Sequence, residues 1–126
     1  MANKIAQLAL ITGFLLSGCS MSETNNISAK QAALLQAENK AVIVDVRENS
    51  EWNQKHIPGA VHIPLDQLPK RLAELEPYKN TQIITQCQRG GRSVKAYETL
   101  KAAGFINTSN MAGGLEAWHK EGLATE

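Results

Sequence analysis

The spacing of hydrophobic positions changes several times along the chain, and each change marks an element. Ala41-Val42-Ile43-Val44 is a continuous apolar run rich in β-branched residues, the pattern of a strand covered on both faces. Gln82-Ile83-Ile84-Thr85 repeats it, Asn107 to Met111 reads as a further strand, and Ala60 to Pro64 is a brief extended piece. Between these the spacing turns helical. Ser28-Ala29-Lys30-Gln31 fits a capping box, and its helix continues through Ala32, Leu34, Leu35 and Glu38. A short helix starts near Asn49 or Ser50, carries Trp52 inward and stops before Ile57-Pro58-Gly59. Leu65, Leu68, Leu72 and Leu75 recur at helical spacing, with Pro69 tolerable near a helix start. Val94, Tyr97, Leu100 and Ala103 line one face of a helix that Gly104 stops. Gly113-Gly114 leads into a last short helix bearing Leu115 and Trp118, and both tryptophans are expected in the core. Short strands alternating with helices predict an α/β layer fold with a central, mainly parallel sheet flanked by helices. In such sheets ligands sit outside the carboxyl ends of the strands.

One strand end carries unusual chemistry. Gln82 to Thr85 feeds into Gln86-Cys87-Gln88-Arg89-Gly90-Gly91-Arg92-Ser93, and a helical pattern leaves it. A strand, a tight glycine-bearing loop and a helix start gather unpaired backbone N–H groups around one point, at the positive end of a helix dipole. Cys87 sits there, so its thiolate is favoured over its thiol. Gly90 and Gly91 let the loop curl with its amides inward, as an anion-holding nest. A cysteine that merely packs a core needs neither two glycines nor the two arginines beside it. The expectation is a nucleophilic thiol at Cys87, with Gln88, Arg89, Gly90, Gly91, Arg92 and Ser93 as its substrate-binding loop.

The first residues are a different material. Met1 to Lys4 is a minimal positive region, Ile5 to Leu16 is mostly apolar but short for a membrane span, and the stretch closes on Leu16-Ser17-Gly18-Cys19. That ending resembles a bacterial lipobox, which implies that residues 1–18 are a signal peptide and that Cys19 is lipidated. An ordinary secretory signal, with Cys19 a free thiol, is the alternative. Ser20 to Asn26 is polar and aperiodic and reads as a tether, about 25 Å long if fully extended. Residues 27–126 form the folded domain. The expected location is the cell envelope, anchored by lipid and facing the periplasm. Ser20 after the cysteine resembles outer-membrane sorting where a host has two membranes.

Charge and cysteine content sharpen this picture. The chain has 126 residues, enough for one core, with 13 basic and 12 acidic side chains for a net charge of +1. Loss of residues 1–18 removes Lys4 and no acid, leaving a formally neutral chain. No basic stripe or aromatic platform is present, and no nucleic-acid partner is expected. Of the two cysteines, lipidation of Cys19 would leave Cys87 as the single free thiol, with no disulfide within the chain.

Four motifs, in order, resemble the single-domain form of the rhodanese family across nearly all of 27–122. They are Val44-Asp45-Val46-Arg47 with Glu51-Trp52; His56-Ile57-Pro58-Gly59-Ala60 with His62-Ile63-Pro64; the loop Cys87 to Ser93; and Gly113-Gly114-Leu115 with Trp118. The resemblance implies a rhodanese-like three-layer domain and transfer of a sulfane sulfur, from thiosulfate or a similar donor, through a Cys87 persulfide. The acceptor would be thiophilic, namely cyanide in assay, a thiol in the cell, or a protein sulfur acceptor. No cofactor or metal is implied. It further implies that Asp45 and Arg47 are a structural pair supporting the loop, with Arg47 reaching Glu51, although either could touch substrate. His56 and His62 are read as structural turn residues, because with Cys87 they fit no zinc spacing.

A sister branch of the fold holds dual-specificity phosphatases whose loops carry five residues between cysteine and arginine. Here four separate Cys87 from Arg92, a smaller cradle suited to sulfur, and no acid in the loop could protonate an alkoxide leaving group. Sulfur transfer is therefore favoured over phosphatase or arsenate-reductase chemistry, and a carrier module with little thiosulfate turnover is the main alternative. Arg92 is expected to face the loop, although some members of the family this chain resembles place that side chain in an outward ion pair. Arg89 is either the residue that draws in an anionic donor or a solvated surface charge.

Overall fold

Five strands lie side by side in the order β1-β5-β4-β2-β3, and every neighbouring pair is parallel. The computed structural model describes residues 23–126, so the expected signal peptide and Cys19 lie outside the described residues. In chain order the elements are β1 (Asn26–Ile27), α1 (Ala29–Ala37), β2 (Ala41–Asp45), α2 (Asn49–Gln54) and β3 (Val61–His62). Two 3-10 segments, Leu65–Lys70 and Leu72–Tyr78, lead to β4 (Gln82–Gln86), α3 (Gly91–Ala102), β5 (Thr108–Met111) and α4 (Gly114–Lys120).

The uninterrupted apolar run of β2 has the role its composition predicts, since all five of its residues are buried. Alternate side chains enter opposite layers. Val42 and Val44 join Ile83, Ala96, Leu100, Leu68 and Leu75 beneath α3 and the 3-10 segments. Ala41 and Ile43 join Ile84, Ala29, Ala32, Leu115 and Trp118 beneath α1 and α4. The result is helix, sheet, helix, with the carboxyl ends of β2 and β4 adjacent at its centre, Asp45 level with Gln86. The capping box at α1 forms as expected, Ser28 Oγ accepting from Gln31 N at 3.0 Å and Gln31 Oε1 accepting from Ser28 N at 3.0 Å.

Several expectations are corrected. The leucines from Leu65 to Leu75 do not form one α-helix; they lie on two 3-10 segments, each with a proline inside, Pro69 and Pro77. A proline offers no N–H for an α-helical ladder, and only Leu68 and Leu75 of the four are buried. Helix α3 is rotated from the expected face and buries Ser93, Ala96, Tyr97 and Leu100, leaving Val94 and Ala103 half-buried. Leu34 is exposed. Finally, Asn25 and Asn26 are not tether but sheet edge: Asn110 N donates to Asn25 O at 2.8 Å, and Asn110 Nδ2 to Asn26 Oδ1 at 3.0 Å. This strand is two residues long and is held by backbone bonds with asparagine side chains added, so hydrophobic patterning gives no sign of it.

Candidate active site

The chain leaves β4 at Gln86 and re-enters regular structure at Gly91, and Cys87 lies at the start of the turn with 1% of its surface exposed. Gly90 makes the turn with φ of +110°, a conformation that disfavours any side chain. The loop closes on the sulfur: Gly90 N donates to Cys87 Sγ at 3.1 Å and Ser93 N donates at 3.4 Å. The thiol in turn donates to Ser93 Oγ at 3.3 Å, and Ser93 Oγ donates to Gly90 O at 3.2 Å. Burial pushes the Cys87 thiol up. The Ser93 side chain and the backbone amides of Ser93, Gly90 and Arg89 outweigh that, and the net shift is below the usual thiol value. The N-terminus of α3 faces the same atom. Above it opens a cavity of about 390 Å³ lined by Cys87, Gln88, Arg89, Gly91 and Arg92.

The loop is clamped from two sides. On one, the first turn of α4 lies directly against it, Leu115 N donating to Cys87 O at 2.8 Å and Glu116 N to Gln88 O at 3.0 Å. So close an approach requires glycine at 114. A Cβ there would stand 2.7 Å from Gln88 C and O, and closer still to Cys87 O, and φ is +58°. On the other side is Arg47, a guanidinium with 2% of its surface exposed. Its Nε and Nη2 bind the buried Asp45 carboxylate at 3.0 and 2.8 Å, its Nη2 also donates to Lys55 O at 2.8 Å, and its Nη1 donates to Gln88 Oε1 at 3.2 Å. A buried charge is tolerable when its partner and its remaining hydrogen bonds are both supplied, as here. The pair thus touches the loop at Gln88 and lies away from the cavity.

Each arginine meets its own carboxylate. Arg92 lines the cavity over Cys87 but does not turn its guanidinium freely into it. Its Nη1 and Nη2 donate to Glu51 Oε1 and Oε2 at 2.7 and 2.9 Å, a two-pronged pair joining α3 to α2. Glu51 is consequently the partner of Arg92 and not of Arg47. The Arg92 hydrogen bond is the largest influence on Glu51 and, against a smaller opposing effect of burial, holds its carboxyl down at about 2. Arg89 is 82% exposed and its Nε donates to Glu116 Oε2 on α4 at 2.9 Å. The sequence carried no signal for Glu116, which lies 27 residues away and meets Arg89 only because Gly114 lets α4 dock.

Trp52 is not core. It is half-buried and stacked between two imidazoles, His56 at 3.7 Å and His62 at 4.6 Å between ring centroids. His62 Nε2 lies 2.8 Å from Arg47 O and His56 Nδ1 lies 2.9 Å from Trp52 O. Trp118, by contrast, is 4% exposed within the α1–α4 layer.

Comparison with known proteins follows this geometry. Residues 28–121 match the family model for the rhodanese-like domain. The chain is 36% identical over 93 residues to thiosulfate sulfurtransferase 16 of Arabidopsis thaliana, covering 66% of this chain and 78% of that one. It is 34% identical over 119 residues to YrkF of Bacillus subtilis, a protein provisionally named as a sulfur carrier, covering 90% of this chain but only 63% of the relative. Among solved structures, a rhodanese-like domain protein of Staphylococcus aureus superposes with a TM-score of 0.70 at 36% identity, covering 80% of this chain and 97% of that one.

Proposed function

This chain belongs to the rhodanese-like domain family, and from that premise we propose that it is a sulfurtransferase in which Cys87 carries a sulfane sulfur as its persulfide. The observation that carries the reading is the ring of donors on Cys87 Sγ, which favours an anion on a buried sulfur. The Cys87 thiolate attacks the outer sulfur of thiosulfate, the S–S bond of the donor breaks, and sulfite leaves with the electron pair. The terminal persulfide sulfur extends into the cavity, and the Gly90 and Ser93 amides that donate to Cys87 Sγ help offset its charge, an oxyanion-hole arrangement applied to sulfur. A thiophilic acceptor, cyanide in assay or a thiol or protein acceptor in the cell, then takes the terminal sulfur and returns the thiolate. The cycle uses only this chain's own groups.

Intact-mass measurement after treatment with thiosulfate is expected to show one added sulfur, absent in Cys87→Ser. The variant is also expected to lose at least about 10³-fold in thiosulfate:cyanide transfer, since no second cysteine lies among the described residues. Near-native transfer by folded Cys87→Ser would sink the mechanism. The name of the Bacillus relative favours a second reading, a carrier loaded by a partner. That reading predicts the same added mass with little turnover of thiosulfate. The lipobox-like Leu16-Ser17-Gly18-Cys19 further supports an exported protein anchored to a membrane through Cys19.

A further inference from the structure

The two basic side chains of the loop are held in unequal ways. Arg92 is fixed by both oxygens of Glu51, the two side chains being about one-third exposed. Arg89 is held at a single nitrogen by one oxygen of Glu116, and it is 82% exposed. Both arginines line the cavity over Cys87, and each is matched by a carboxylate, so their charges are balanced there. Of the two pairs, the one on α4 is the one that water and an incoming anion can open.

Resting on the sulfurtransferase reading above, we propose that Glu116 sets the charge discrimination of the site. By holding Arg89 on the rim, it reduces the advantage that a doubly charged donor would gain over a singly charged one. Glu116 is a positioning residue in this scheme. It has no contact with Cys87, its backbone N–H continues to clamp Gln88 whatever its side chain is, and it acts through the guanidinium. A donor with two negative charges must compete with the Glu116 carboxylate for Arg89 and is repelled by it. A donor with one charge feels about half of each effect.

Thiosulfate and methanethiosulfonate test this, because both deliver the same outer sulfur to the Cys87 thiolate. One expels sulfite, the other methanesulfinate, and the donor charges differ by one; comparing each variant's ratio with that of the wild type cancels the difference in leaving group. In Glu116→Gln, kcat/KM for thiosulfate relative to that for methanethiosulfonate is expected to rise about 3- to 10-fold at low ionic strength, through KM. The gain should collapse at about 0.5 M salt and shrink at least about twofold in an Arg89→Ala background, where competition for the guanidinium is gone and only direct repulsion by the carboxylate remains. Glu116→Asp, which keeps the charge, should stay near wild type. An unchanged or lowered ratio in Glu116→Gln, in protein whose Cys87 still gains sulfur from thiosulfate, overturns the proposal alone. Wild-type protein that gains sulfur from neither donor overturns the sulfurtransferase reading beneath it.

Discussion

At Cys87 two effects of opposite sign meet on one atom. Burial disfavours the thiolate, and donors from Ser93, Gly90 and Arg89 favour it more. Ser93 touches the sulfur with both hydroxyl and amide; once the thiol proton has left, the hydroxyl can turn from Gly90 O to donate to the thiolate, so Ser93→Ala removes that donor, together with the hydroxyl's bond to Gly90 O, and keeps the amide. The acid limb of kcat/KM against pH should lie below the ordinary thiol range in the wild type. In Ser93→Ala it should move to higher pH, with about a tenfold loss at pH 7 that disappears at alkaline pH where both thiols are ionised. A pH-independent loss would show that Ser93 acts on the transferred sulfur and not on the nucleophile. The Glu51–Arg92 pair gives a second test at this scale. The folded-state pKa of Glu51 lies at about 2, below the ordinary 4.5, so its contribution is fully present above pH 4.5 and fades as pH falls towards 2. Glu51→Gln should cost about 1–2 kcal/mol at pH 7, less than a buried pair of this shift would give because both side chains are about one-third exposed, and near nothing at pH 2. Urea unfolding at the two pH values measures the difference. The donor-ringed setting of Cys87 was legible because strand, glycine turn and helix start are local features of eight residues. The partners of Arg92 and Arg89 were not, since Glu51 and Glu116 are distant in sequence and pairing depends on how α2 and α4 dock.

Elements place the chemistry through how closely they approach one another. Helix α4 reaches the loop only because residues 113 and 114 have positive φ, 76° and 58°. Gly114→Ala should therefore cost about 2 kcal/mol or more in stability and lower turnover as well, because the displaced helix withdraws the amides of Leu115 and Glu116 from the loop. Gly91→Ala supplies the contrast. Nothing lies within 4 Å of a Cβ there and the residue opens α3, so stability should change by less than about 0.5 kcal/mol. Thermal unfolding of both variants decides it, and equal losses would refute the close-approach argument. The sequence announced β2, β4, α1 and α4 because their patterns or caps are strong. It misled at Leu65 to Leu75, where helical leucine spacing coexists with prolines that deny the α-helical ladder its N–H groups. It was silent at β1, a two-residue edge strand with too few side chains to show a pattern.

For the whole molecule, the parallel sheet puts all residues of the proposed site, Asp45 to Glu116, inside one domain, while the lipobox-like signal lies before it. Because Asn25 already belongs to the sheet edge, the tether that could follow an anchored Cys19 shortens to residues 20–24, at most about 18 Å when extended. An anchored domain would then work close against a bilayer, with little freedom to wander. Among the described residues no helix is long and apolar enough to cross a membrane. A chain processed at Cys19 would be formally neutral, so adhesion by charge would be weak. The full-length protein expressed in a bacterial host should accordingly sediment with membranes, resist extraction by 1 M salt and dissolve in detergent. Cys19→Ala should leave the membrane fraction or accumulate unprocessed. The purified variant should keep thiosulfate sulfurtransfer within about twofold of wild type, since distant, independent sites act additively. Wild-type protein recovered wholly soluble, with Cys19 unmodified by mass, would rule out the anchor and leave the chemistry at Cys87 untouched.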